Sequence, residues 1–116
     1  MATDLDQIFI RIEQLAQARA LPRIERATSY GTPALKVGDK AFVRLKDDAT
    51  LVLLCPTDQK ALLMEMSPDI YFETDHYVGY PAVLVRLDVI GDEELSLRLE
   101  DAWRFKAPAR VAAAFK

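Results

Sequence analysis

Apolar residues at the start of the chain recur at the period of an α-helix. Their spacing of i, i+3, i+4, i+7, i+10 and i+11 predicts one apolar stripe along an amphipathic helix. Thr3 or Asp4 is placed to cap the first turn, and Pro22 ends the helix, because the residue before a proline avoids the helical conformation. The stripe consists of Leu5, Ile8, Phe9, Ile12, Leu15 and Ala16.

The pattern then changes to short apolar and β-branched runs separated by turn residues, which predicts strands. These runs occupy positions 23–29, 34–37, 40–46 and 50–55. Positions 30–33 supply turn chemistry, and Gly38-Asp39 suits a two-residue type II′ hairpin loop in which Val37 pairs with Lys40. The run 50–55 is almost continuously apolar, which predicts a buried central strand.

Helical and strand signals alternate through the second half of the chain. We predict a helix opening at 56–58 with Thr57 as its cap, a short edge strand at 70–73 and a strand at 82–88. A third helix begins at 91–92, and Pro108 fits the first turn of a short closing helix.

The order of these elements predicts the fold class. Hairpins with helices segregated from them indicate an α+β domain with an antiparallel sheet of about five strands and helices packed on one face. Its predicted core comprises Ile8, Ile12, Leu15, Val43, Leu53, Val83, Val85, Leu99 and Trp103.

The composition is typical of one globular domain over positions 1–116, with 51% hydrophobic and 28% charged residues. Cys55 is the single cysteine, so an internal disulfide is excluded, and its apolar neighbours predict a buried thiol. No run approaches the roughly 20 apolar residues that cross a bilayer. Because the acidic amino terminus lacks the features of a signal peptide, we expect no membrane partner and a cytoplasmic location.

The net charge of −3 is distributed unevenly along the chain. Positions 19–46 carry seven cations and two anions, whereas positions 58–101 carry eleven carboxylates and three cations. This asymmetry points to a polyanion as one class of partner for the basic segment.

The predicted hairpin is a candidate nucleic-acid surface. Pairing of Val37 with Lys40 places alternate residues on one face, namely Leu35, Val37, Lys40, Phe42, Arg44 and Lys46. A face that mixes cations with an aromatic ring can track phosphates and stack on bases. The alternative is that these cations protect an exposed strand from pairing with other chains. The candidate nucleic-acid-binding residues are Lys36, Lys40, Arg44 and Lys46, extended by Arg23 and Arg26.

A second candidate site is aromatic. Tyr71, Phe72, Tyr77 and Tyr80 cluster in sequence around His76, together with several carboxylates. The segment reads either as a flap over a ligand pocket or as a loop that its tyrosines pin to the core. The candidate ligand cleft consists of Tyr30, Tyr77 and Tyr80. One imidazole with loosely spaced acids is a poor metal-binding pattern, so we expect no metal.

Catalytic signatures are missing from the sequence. Ser29, Ser67 and Ser96 lack the context of a nucleophile elbow, and the four glycines form no phosphate-binding loop. We therefore expect a protein that is not an enzyme and that uses no cofactor.

Four motifs carry a resemblance to a known family. They are Ser-Tyr-Gly-x-Pro at 29–33, Val-Gly-x-Lys at 37–40, Tyr-x-Gly-x-Pro at 77–81, and Ala-Trp-Arg at 102–104 with Ala107-Pro108 behind it. In these motifs the chain resembles the MmcQ/YjbR family of small bacterial α+β proteins over nearly its whole length. The resemblance implies a CyaY-like sheet covered by helices on one side. It also implies DNA binding, and it implies no catalytic residue.

Two functions follow as hypotheses. The first is a small binding module that holds DNA weakly, without sequence preference, through the basic hairpin. The second is a small-molecule or protein-interaction domain that works through the aromatic cleft. The salt dependence of the affinity distinguishes them. Phosphate contacts make the logarithm of the affinity fall with the logarithm of the salt concentration, whereas binding in an aromatic cleft barely responds to salt.

Overall fold

A computed structural model describes residues 4–115 of the chain. The helices are α1 (Leu5–Ala18), α2 (Thr57–Met66), α3 (Asp92–Lys106) and α4 (Ala109–Ala114). The strands are β1 (Ile24–Ser29), β2 (Thr32–Val37), β3 (Lys40–Leu45), β4 (Thr50–Leu54), β5 (Tyr71–Phe72) and β6 (Ala82–Arg86). A short 3₁₀ helix covers Asp75–Tyr77.

The strands form one antiparallel sheet in the order β1-β2-β3-β4-β6-β5. The predicted α+β fold is confirmed, with six strands where about five were expected. β4 lies in the interior of the sheet and the two-residue β5 lies at one edge, as the sequence predicted.

The structure confirms one of the predicted helix caps and corrects another. The Asp4 carboxylate accepts hydrogen bonds from the amides of Asp6 and Gln7 at 3.1 and 3.3 Å and so caps α1. Thr3, the other predicted cap, lies outside the described residues. Thr57 is not a cap but the first residue of α2, because Pro56 takes the cap position without a side-chain bond.

All four helices cover the same face of the sheet. Each contributes to the larger core cluster, for example through Phe9, Leu63, Leu99 and Val111. Trp103 is fully buried, and its indole nitrogen donates to the carbonyl of Pro22 at 2.9 Å. The predicted core is present, although Ile8 and Leu15 are only partly buried at its margin.

The opposite face of the sheet, here called the open face, carries a smaller apolar cluster. Paired residues share a face, so the register defines one row that crosses the whole sheet. The cluster packs around Val52, Tyr77, Ala82 and Leu84. The row runs through Ala27, Ala34, Arg44, Val52, Leu84 and Phe72.

A β-bulge in the β2–β3 hairpin changes which cations share a face. Val37 pairs with Lys40 as predicted, and Gly38 has φ 64°, as a type II′ loop requires. The register then shifts between Leu35 and Lys36, so Val43 joins Phe42 in the core and Arg44 turns to the open face. The predicted shared face is therefore wrong for Arg44, whereas Lys40 and Phe42 stay on the helix side of the sheet with Val37.

Candidate functional site

A cleft of about 660 Å³ opens on the open face of the sheet. Its floor is formed by strands β3, β4 and β6, where Ala41 and Ala82 leave space that larger side chains would fill. One end is the β1–β2 turn with Tyr30, and the other is the segment 73–81, here called the aromatic loop, with His76, Tyr77 and Tyr80. The three tyrosines predicted from the sequence as a cleft are thus brought together.

Tyr30 is held in a conformation that its residue type disfavours. Ser29 pairs with Thr32, so Tyr30 and Gly31 form a two-residue hairpin loop, with φ values of 52° and 80°. This is the type I′ pattern, in which Asn-Gly is the preferred pair. The Tyr30 side chain is 90% exposed, so core packing does not account for the ring. The ring of Tyr30 is therefore an exposed aromatic surface at the rim of the cleft, held in a conformation that costs free energy.

Arg44 is the central cation of the cleft. Its guanidinium donates to the hydroxyl of Tyr77 at 2.9 Å, to the Leu45 carbonyl at 3.2 Å and to Thr32 at 3.5 Å, and it lies 5.0 Å from the centre of the Tyr30 ring. All these partners are neutral. Within residues 4–115, no carboxylate forms an ion pair with Arg44 or lines the cleft. The cleft therefore offers a half-buried positive charge that is paired with no carboxylate of the described residues.

The aromatic loop supplies the opposite wall. Tyr77 is buried and packs edge-on against His76 and Tyr80, with ring centres 4.9 and 6.0 Å apart. Tyr80 remains 52% exposed, and Lys46 lines the same cleft from the end of β3. Aromatic faces beside two cations can hold a flat ring together with an anionic group.

The other predicted cations lie elsewhere. Lys36 faces the same side of the sheet as Ala41, with which it pairs, but it lies outside the cleft. Lys40 lines a separate groove beside the end of α3. Arg23 lies in a shallow pocket against α4, and Arg26 is neutralised on the helix side by Asp6 and Glu13. The six cations therefore form no continuous surface.

Lys60 was missed by the sequence analysis. It lies on α2, is only 3% exposed, and its ammonium bonds the carbonyls of Tyr77 and Tyr80. An ion pair with Glu73 at 2.8 Å completes its environment. A lysine in a polar helical segment normally reaches solvent, so its residue type and position gave no signal of burial.

The remaining reactive groups lie apart from the cleft. Cys55 is buried in the main core, and burial raises the pKa of its thiol to about 11. Among residues 4–115, no cluster of three or more His, Cys, Asp or Glu side chains is placed to hold a metal ion. The described helices include none with the length and apolar character needed to cross a membrane.

Comparison with known proteins identifies relatives without a known activity. A family model described as YjbR matches residues 19–105. Uncharacterized proteins of Mycobacterium bovis and of two Mycobacterium tuberculosis strains are each 37% identical over 78 residues, which is 67% of this chain and 54% of theirs. The chain therefore matches about half the length of these curated relatives. No solved structure matches it.

Proposed function

The chain belongs to the YjbR family, and we propose that it is a binding domain whose cleft holds a small anion carrying a flat ring. The observation that carries this proposal is Arg44, a half-buried guanidinium that meets only neutral groups among the described residues. A guanidinium has five N–H donors, and three hydrogen bonds to the protein leave donors for an incoming carboxylate or phosphate.

The aromatic walls of the cleft support the proposal that the ligand carries a flat ring. Tyr30 presents an exposed aromatic face at one end, and Tyr80 presents a half-exposed one at the other. A volume of about 660 Å³ lies within the range of roughly 300–1,000 Å³ that is typical of small-molecule sites. An apolar floor with a few convergent polar groups is likewise typical of a ligand pocket.

The experiment that tests this proposal compares a probe with its two halves. Adenosine monophosphate carries both a flat ring and an anion, whereas adenosine lacks the anion and ribose 5-phosphate lacks the ring. We expect calorimetric titration at low salt to give measurable binding of the whole probe and at least tenfold weaker binding of each half. Equal affinity for adenosine and adenosine monophosphate would contradict a role for the anion.

A second candidate function, weak binding of single-stranded nucleic acid, is favoured by the exposure of Tyr30. Lys36, Arg44 and Lys46 share the open face with this ring, and together they offer a stacking platform with a few phosphate contacts. Three such contacts predict a slope of about −2 for log affinity against log salt. A longer oligothymidylate that binds no better than a mononucleotide would reject this candidate.

We propose that the domain binds without catalysing a reaction in a reducing, cytoplasmic setting. The buried single cysteine supports the setting, since an unpaired thiol suits a reducing compartment. The chemistry of the cleft supports binding, because its cations and tyrosines suit recognition better than bond cleavage. An assay that detects turnover of a nucleotide, abolished by a change at His76, would overturn this part of the proposal.

A further inference from the structure

The buried ammonium of Lys60 occupies an unusual place beneath the aromatic loop. It donates to the Tyr77 carbonyl at 2.6 Å and to the Tyr80 carbonyl at 3.0 Å, and it pairs with Glu73 at 2.8 Å. These three partners match the three donors of an ammonium group. Because a buried charge is costly unless it is paired and hydrogen-bonded, the full set of partners makes this position stable.

The two carbonyls belong to opposite ends of one tight turn. Val78 has φ −60° and ψ 126°, Gly79 has φ 81°, and the Tyr80 amide donates to the Tyr77 carbonyl at 3.0 Å. These values describe a type II turn, for which glycine at the third position is favoured. The ammonium of Lys60 therefore holds the two turn residues whose rings form a wall of the cleft.

The Lys60 contacts continue into the cleft through Tyr77. Its carbonyl accepts from Lys60, and its hydroxyl accepts from Arg44 on β3. Tyr77 thus joins α2 to the central cation of the site by hydrogen bonds at both ends of the same residue. A displacement of the turn would withdraw the hydroxyl from Arg44 and move the ring of Tyr80.

We propose that Lys60 is the positioning residue of the cleft, fixing the aromatic loop so that Tyr77 and Tyr80 face Arg44. The expected effect of Lys60 on ligand binding rests on the proposed function. Its expected effect on the conformation of the aromatic loop does not depend on that function. In Lys60→Met, the Tyr80 carbonyl loses the Lys60 donor, the Tyr77 carbonyl keeps the Tyr80 amide but loses the ammonium, and Glu73 loses its counter-charge. Outward movement of the turn then becomes favourable, because water can donate hydrogen bonds to the carbonyls of Tyr77 and Tyr80.

The test combines amide exchange with binding of adenosine monophosphate. For Lys60→Met, we expect at least tenfold faster exchange of the Tyr80 amide and at least tenfold weaker probe binding. The matched control is Leu63→Ala, which removes a buried side chain one turn along the same helix; Leu63 belongs to the larger core cluster and not to the cluster that contains Tyr77. It should lower stability and leave the probe affinity of the folded protein within twofold of the original value.

If Lys60→Met does not fold, a milder variant at Glu73 tests the same proposal. Glu73→Gln keeps an acceptor but removes the counter-charge, and it should change both readouts in the same direction by a smaller factor. Unchanged Tyr80 exchange in a folded variant at Lys60, or equal loss of binding in Leu63→Ala, would overturn the positioning role. If the original protein binds no probe, the proposed function fails, and the exchange measurement still decides the role of Lys60.

Discussion

Arg44 and Tyr77 meet across the cleft, where the guanidinium of Arg44 donates to the Tyr77 hydroxyl at 2.9 Å. Arg44 lies on β3 in the middle of the sheet, whereas Tyr77 ends the 3₁₀ helix of the aromatic loop. This bond orients the guanidinium toward the cleft, because an arginine side chain without a partner is free to reach solvent.

Removal of the Tyr77 hydroxyl tests the importance of this bond. Tyr77→Phe keeps the buried ring and should lower the free energy of unfolding by about 1 kcal/mol, the typical value of one hydrogen bond. Urea denaturation measures the change. Tyr80→Phe is the matched control because it leaves the Arg44–Tyr77 bond in place, and a loss of equal size in that variant would contradict the importance of the bond.

Replacement of Tyr30 distinguishes the cost of its strained backbone conformation from its contribution to ligand binding. Tyr30→Asn places a residue that tolerates the left-handed conformation at the first loop position of the type I′ turn, where Tyr30 has φ 52°. Relief of strain should offset the lost contact with Arg44, so the thermal midpoint should not fall while the affinity for adenosine monophosphate decreases. A marked loss of stability without any change in affinity would indicate that the tyrosine serves the fold.

Much of the fold could be predicted because apolar spacing reports burial directly. The stripe from Leu5 to Ala16 defined α1, and the Gly38-Asp39 loop fixed the pairing of Val37 with Lys40. The side of the sheet on which Val43 and Arg44 lie could not be predicted, since the β-bulge in this hairpin inserts one residue without a distinctive sequence signal. The Ser-Tyr-Gly and Tyr-x-Gly-x-Pro motifs marked both ends of the cleft, whereas Lys60 resembled any surface lysine.

Ionisation of Cys55 predicts how stability changes at alkaline pH. Burial raises the pKa of its thiol from 9.0 to about 11, so the folded state keeps its proton more tightly than the unfolded state does. This contribution to stability is complete below pH 9 and is lost as the pH rises toward 11. Between pH 8 and 10, Cys55→Ala should therefore show a flatter decline in unfolding free energy than the original protein. Parallel declines would contradict the assignment.

Glu100 has the opposite dependence at acid pH. The hydrogen bond from Arg19 at 2.7 Å, assisted by Arg104 at 2.9 Å, holds the pKa of its carboxyl below the ordinary value of 4.5. Its contribution is present above that value and disappears as the pH falls through the lowered pKa. The stability difference between the original protein and Glu100→Gln should shrink from pH 6 to pH 3. Stability profiles of the two proteins that stay parallel between pH 6 and pH 3 would contradict this role of Glu100.

Binding of adenosine monophosphate to Arg44→Met and Lys40→Met tests the central claim most directly. Both variants lose one positive charge, but only Arg44 lines the cleft, whereas Lys40 lies beside the end of α3. Isothermal titration calorimetry at low salt should give at least tenfold weaker binding for Arg44→Met and an affinity within twofold of the original for Lys40→Met. Equal affinities in the two variants, whether both retained or both reduced, would contradict a built anion site at Arg44.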